Sequence, residues 1–409
     1  MAQKEINWLG IGFGLALMVL AAYQQLKLPP VLPILLEEYG FDRILAGGFM
    51  SVYPLCGLVL SLRLGGMMQR RGTAFYLNIA FGLFAAAAVI MMLWPEIGWL
   101  FLLARGLEGL AFSILAIAGP AICTGNAGPG GLAIAAAIIA TWIPAGGLIA
   151  NAVAAALGDG GAWRVLWAVG IAASLVMALW MRRLAASGAI TLSAGEPPAP
   201  TDSQNASNAP EARRQWRIMA FSGLLFSFFS IGMFAYLTWV PDYLVETQGY
   251  TADTAATLFM LPVAVLTAFN LLAAPILRAG VPVAILLAIA GGLQAAMWLL
   301  MPYISGVPAA IAAFLIFPMA AGVTPTCLYV LPGTVFGHER AGTRSFAVLM
   351  TGRNLGVLTG PLLAGALVQV TGDWTAAPLA IGGISLLLAV GALWLHRDLV
   401  RLGVYGTKR

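Results

Sequence analysis

Residues 65–72 read GGMMQRRG, and residues 73–94 read TAFYLNIAFGLFAAAAVIMMLW. From 74 to 94 no side chain carries a charge. A helix of ~20 apolar residues crosses the hydrocarbon core of a bilayer, so this run predicts a transmembrane helix. The eight residues before it read as a turn, with glycine near each end and Arg70-Arg71 between them. Long apolar helix and short basic turn together point to an all-α membrane protein.

Moving outward, the same reading applies along the whole chain. Of its 409 residues, 61% are hydrophobic and only 9% charged, against roughly a quarter charged in a soluble domain. The mean hydropathy is +0.91. This composition excludes a soluble enzyme, a disordered chain and a disulfide scaffold. It also excludes a nucleic-acid binder: 21 Lys and Arg are spread thinly, with no dense basic patch. Twelve spans follow at about 8–35, 45–67, 74–94, 97–121, 131–156, 163–184, 217–244, 254–277, 281–302, 308–332, 345–370 and 376–395. The expected domains are an N-terminal six-helix bundle (1–184), a cytoplasmic linker (185–216) and a C-terminal six-helix bundle (217–409).

With the N-terminus inside, 16 of the 21 basic residues fall in inner segments and only Arg43 and Arg164 in outer ones. Lys and Arg set orientation, so both termini and the linker are expected in the cytoplasm. Cys56, Cys123 and Cys327 lie in or beside apolar runs, against a disulfide framework. The glycine-rich run 125–131 lacks the Lys-Ser/Thr of a phosphate loop and reads as an inner turn. No metal spacing, nucleotide site or hydrolytic constellation is present, so no cofactor and no catalytic residue is expected.

A shift of 208 residues aligns the chain with itself. Trp8 meets Trp216, Phe13 meets Phe221, Pro33 meets Pro241, Pro54 meets Pro262, Arg70 meets Arg278 and Gly72 meets Gly280. One offset through two helices and the next turn suggests two related halves. The plainer alternative is that helix ends in any membrane protein favour Trp, Pro and Arg. Parallel repeats of this kind build transporters with a site between the halves.

The turn 65–72 resembles the G-x-x-x-D-R-x-G signature of the major facilitator superfamily. Gly65, Arg70 and Gly72 match, and Gln69 replaces the Asp. A worn copy at 273–280 keeps Arg278 and Gly280. Arg105-Gly106-Leu107-Glu108-Gly109 resembles that family's R-x-x-[Q/E]-G element. The stretch around Pro144 loosely resembles its Gly-Pro-Gly-Gly, and Gly356-x-x-x-Gly360-Pro361 does so more closely. The resemblance implies the twelve-helix fold in two pseudo-symmetric bundles. It also implies conformational gating by Gly65, Gln69, Arg70, Gly72, Arg278, Gly280, Pro144, Gly360 and Pro361. Lys27 ahead of Pro29-Pro30 is similar to the first helix of the cyanate/nitroimidazole-porter type.

Ionisable groups at membrane depth cost ~2.5–3.5 kcal/mol each on insertion scales, so each needs a reason. Four stand out: Lys27, Arg105, Glu108 and Arg353. Tyr23, Gln24 and Lys27 can share a helix face, either as a substrate patch or with Lys27 snorkelling outward. Arg105 and Glu108, at i and i+3, can pair, either as a structural bridge or with Glu108 as a releasable, proton-coupling partner. Arg353 beside Asn354 reads as an anion ligand or as a structural anchor. Tyr236 and Trp239 can line a cavity or pack between helices. Three cations against one acid favour an anionic solute. The expected function is a monomeric secondary transporter moving a small organic or inorganic anion across the cytoplasmic membrane by alternating access, with protons as a candidate coupling ion. Efflux of apolar drugs is the runner-up, and a non-transporting receptor is a further alternative.

Overall fold

The structure, a computed structural model, describes residues 5–157, 162–192, 202–249, 251–304 and 307–405. Lys4, Asp159, Lys408, Arg409 and positions 193–201 of the expected linker lie outside the described residues. Twelve spans long and apolar enough to cross a membrane are present among the described residues. Fourteen α-helices carry them, because two spans are broken. The first half holds α1 (Trp8–Leu26), α2 (Leu32–Tyr39), α3 (Arg43–Arg71), α4 (Thr73–Leu93), α5 (Gly98–Gly125), α6 (Leu132–Ala140), α7 (Trp142–Leu157) and α8 (Arg164–Ser187). The second holds α9 (Asp202–Gln248), α10 (Ala252–Arg278), α11 (Val283–Leu300), α12 (Val307–Phe336), α13 (Thr343–Thr371) and α14 (Ala376–Arg401).

Both breaks have proline causes. Between α1 and α2, Pro29 and Pro30 open a single 3-10 turn, Pro29–Val31. Between α6 and α7, Pro144 sits three residues into the second helix. It has no N–H to return to the Ala140 carbonyl, and Asn270 Nδ2 of α10 donates to that oxygen at 3.3 Å instead. The helix α9 continues back to Asp202, so 202–216 is helical where composition suggested linker. Its Ala, Glu, Arg and Gln are good helix formers.

Contacts divide the chain into two compact units. The first comprises residues up to Ala135, Thr141–Ala199 and Phe336–Thr351; the second comprises Ala136–Ala140, Pro200–Val335 and the chain from Gly352 on. In the first, α5 packs against α1, α3 and α4, and α1 also packs against α7. A Cβ on Gly14 would meet the Gly119 carbonyl, and one on Gly119 would meet Met18. Small residues therefore let the α1 and α5 backbones touch. In the second unit, α14 packs against α11 and α9. Gly352, Gly356 and Gly360 of α13 lie against the carbonyls of Gly223, Ser227 and Ile231 of α9, one contact per turn.

Backbone geometry repeats between the halves. Gly72 and Gly280, 208 residues apart, end α3 and α10 with φ of 90° and 93°. Gly40 and Gly249, at 65° and 72°, and Gly128 and Gly337, at 63° and 82°, recur at 209. Only glycine adopts these left-handed angles freely. The offset read from Trp, Pro and Arg is thus matched by turn geometry.

Candidate functional site

The broken end of α1 builds the site. The Gln25 carbonyl would normally accept from residue 29, but Pro29 has no N–H. The guanidinium of Arg105, on α5, takes that role. Its Nη2 donates to Gln25 O at 3.3 Å, its Nη1 to Gln24 O at 3.2 Å, and its Nε to Phe49 O on α3 at 3.3 Å. Arg105 is fully buried and lies 4.2 Å over the Tyr53 ring. It fastens three main-chain segments together.

One turn on, Glu108 stands between two cations. Its Oε2 accepts from Arg105 Nη1 at 2.6 Å and from the Tyr53 hydroxyl at 2.8 Å. Its Oε1 accepts from Lys27 Nζ at 2.7 Å. Lys27 also donates to Gln24 Oε1 at 2.5 Å, and its ammonium lies 4.8 Å from the Trp167 ring centre. Gln24 in turn reaches α8, donating to Gly170 O at 3.1 Å. Lys27, Gln24, Arg105 and Glu108 are each 0% exposed. Lys27 therefore does not snorkel. A buried charge is tolerable only when paired and hydrogen-bonded, and here one carboxylate serves two cations.

The structure brings Gln24, Lys27, Arg105 and Glu108 together. Tyr23, on the same turn, sends its hydroxyl to Leu166 O at 2.8 Å and takes no part in the charge cluster. In the second unit, Arg353 is buried, donates to Asn354 Oδ1 at 3.2 Å and lies 5.4 Å over Phe234. Tyr236 stacks on Phe317 at 4.3 Å. Trp239 donates to the Pro361 carbonyl at 2.9 Å and packs on Gly365. With Trp298 and Trp374 it lines a narrow apolar crevice.

Residues 65–71, read from the sequence as a turn, form the last two turns of α3, and only Gly72 breaks the helix. The Gly65 carbonyl accepts from Thr343 Oγ1 at 2.9 Å, and a Cβ there would strike Ala347. Gln69 is half-buried; Arg70 is exposed in the last turn of α3 and Arg278 in that of α10.

Sequence reasoning did not name Tyr53 or Trp167. A signal for Tyr53 was available, as the one tyrosine of the second span, set beside Pro54. Trp167 gave none, since tryptophan is common near span ends.

A bundle of twelve membrane spans, with turn geometry repeated between its halves and a buried charge cluster in one of them, defines a multi-pass transport protein. Residues 9–348 match the Major Facilitator Superfamily, and the chain belongs to that family of transporters. No curated protein sequence matches it. Among solved structures, it is similar to FucP, the E. coli fucose:proton symporter, with a TM-score of 0.72 and 16% identity over 94% of this chain and 98% of that one. The human organic anion transporter MFSD10 matches with a TM-score of 0.69 and 15% identity over 96% and 99%. The proton:xylose symporter XylE matches at 0.66 and 14% over 94% of each. At such identities the likeness is one of fold.

Proposed function

We propose that this chain is a secondary active transporter for a small anion. The observation that carries the reading is the Lys27–Glu108–Arg105 cluster, in which two fully buried cations share one carboxylate. The cluster keeps a surplus positive charge in a low-dielectric setting, and a bound anion offsets it with charge-assisted hydrogen bonds. Arg353, buried in a span of the second unit, adds to the positive balance. The solved neighbours handle a sugar with protons in two cases and organic anions in one. They lend the fold, and the anion assignment rests on this chain's own charges. The likeness of the Lys27-Pro29-Pro30 stretch to the cyanate/nitroimidazole-porter type agrees with a small solute. Glu108 is the candidate for proton coupling, because it is the one acid among the described residues that is fully buried within a span. We place the protein in the cytoplasmic membrane with both termini inside, on the distribution of Lys and Arg.

A second reading, export of apolar compounds, draws on the aromatic lining of the crevice between Trp239, Trp298 and Trp374. Counterflow in proteoliposomes separates the two. Monocarboxylates, inorganic anions, neutral sugars and lipophilic cations are each loaded inside and tested for exchange with label outside. Exchange restricted to anions supports the proposal, and exchange restricted to lipophilic cations replaces it with the export reading.

A further inference from the structure

The two cations beside Glu108 are held in different ways. Arg105 donates to three main-chain carbonyls, on Gln24, Gln25 and Phe49. Those acceptors cannot move without unfolding helix ends. Lys27 donates only to side chains, the Gln24 amide oxygen and Glu108 Oε1, and both can rotate away. Two of the three ammonium N–H groups are thus taken by displaceable partners. Next to that ammonium, the Trp167 indole is fully buried, and its Nε1 has no acceptor among the described residues. A buried donor without a partner is costly and calls for an acceptor. Trp167 packs edge-on against Trp163 at 5.2 Å and Phe101 at 6.2 Å within the apolar core of this unit.

We propose that Glu108 is a built-in stand-in for the substrate's own carboxylate. The substrate is a monocarboxylate with a flat apolar body. Its carboxylate takes Lys27 and the Trp167 N–H, and its body lies along the Trp167, Trp163 and Phe101 rings. Arg105 stays on the main chain and retains Glu108, so it acts as a positioning residue rather than a ligand. The proposal rests on the anion reading above and deepens it.

The test is ligand binding to purified protein, by calorimetry and thermal shift, with benzoate, acetate and chloride as probes. The parent is expected to bind benzoate saturably and more tightly than acetate. Glu108→Gln removes the internal competitor, and half-saturation by benzoate should fall about tenfold. Lys27→Gln should abolish binding. Trp167→Phe keeps the ring but not the donor, and should weaken benzoate about threefold. If Glu108→Gln does not fold, Tyr53→Phe keeps every charge and removes one donor holding Glu108; benzoate should then bind about two- to fivefold more tightly.

Equal benzoate affinity in the parent and in the Glu108 or Tyr53 variant would overturn the stand-in role. An equal gain for chloride and benzoate in Glu108→Gln would overturn the carboxylate assignment, since it reports bare charge. Unchanged binding in Trp167→Phe would also overturn the assigned geometry. A parent that binds no anion at all removes the anion reading itself, whereas a parent that binds with no gain in the variants removes only the stand-in.

Discussion

Replacing Arg105 and Lys27 with methionine should have unequal effects on stability. In Arg105→Met, the Gln25 carbonyl loses its donor in a buried setting, while the Gln24 carbonyl keeps the Tyr53 hydroxyl and the Phe49 carbonyl keeps its place in the α3 ladder. Each such orphan costs ~1–3 kcal/mol. One orphaned carbonyl and two that lose a second donor come to about 2 kcal/mol. Glu108 keeps Lys27 and Tyr53 as donors, so the broken ion pair adds only about 1 kcal/mol, well below the ~3–5 kcal/mol for stranding a lone buried charge. In Lys27→Met, the remaining cluster is one arginine with one carboxylate, electrically balanced. The Gln24 amide oxygen and Glu108 Oε1 lose the lysine donor, but both sit on side chains that can turn to other partners, for about 1–2 kcal/mol together. At ~2–4 °C per kcal/mol for a unit of this size, Arg105→Met should lower Tm by roughly 6–12 °C and Lys27→Met by roughly 2–8 °C. Cys123 and Cys327 are buried, one in each unit. A thiol-reactive dye during a heating ramp at fixed rate therefore reports their exposure. Lys27→Met falling as far as Arg105→Met would refute the distinction between a main-chain anchor and a displaceable side-chain partner.

Other consequences follow from the packing and topology. Gly119→Leu should separate α1 from α5 and largely abolish the monodisperse peak in size-exclusion chromatography, because the added side chain has only the Gly14 carbonyl and Met18 to displace. Asn270→Ala should cost about 1–2 kcal/mol by orphaning the Ala140 carbonyl. The same change made on Pro144→Ala, which restores an N–H for that oxygen, should cost less than half as much; additive losses in the double-mutant cycle would contradict the assignment. A cysteine at position 203 should react with an impermeant maleimide only after cells are opened, and labelling of intact cells would reverse the proposed orientation. Trp239→Phe should lower stability by about 1 kcal/mol through loss of the bond to Pro361, measured in the same dye assay.

The fold was legible because a bilayer imposes one strong rule: a span must be long, apolar and helical. The run 74–94 and its eleven counterparts obey it, and Gly72, which ends α3, recurs as Gly280 with a matching φ. The helix breaks were legible only in part. Pro29-Pro30 marks one plainly, but Pro144 gives no hint that Asn270, 130 residues from Ala140 in sequence, supplies the missing donor. At the site, the i,i+3 spacing anticipated the Arg105–Glu108 pair. It could not show Lys27 on the other carboxylate oxygen, because that contact joins helices 81 residues apart. Nor could it show Arg105 capping the end of α1. Main-chain acceptors carry no side-chain signature, so sequence treats Lys27 and Arg105 as equivalent buried cations while the structure separates them. The helix over 202–216 was hidden for a different reason: Ser203, Asn205, Ser207, Asn208 and Pro210 are poor helix formers and mask the Ala, Glu, Arg and Gln of the same segment.

The central claim is that a buried lysine, neutralised internally by Glu108, binds the anion that this protein carries. Uptake of labelled benzoate into proteoliposomes, compared between the parent and Lys27→Gln, tests it most directly, with size-exclusion profiles to establish equal folding. The account predicts saturable uptake in the parent that is inhibited by other monocarboxylates and lost in Lys27→Gln. Equal uptake by the two proteins, or a parent that moves lipophilic cations and no anion, would contradict it.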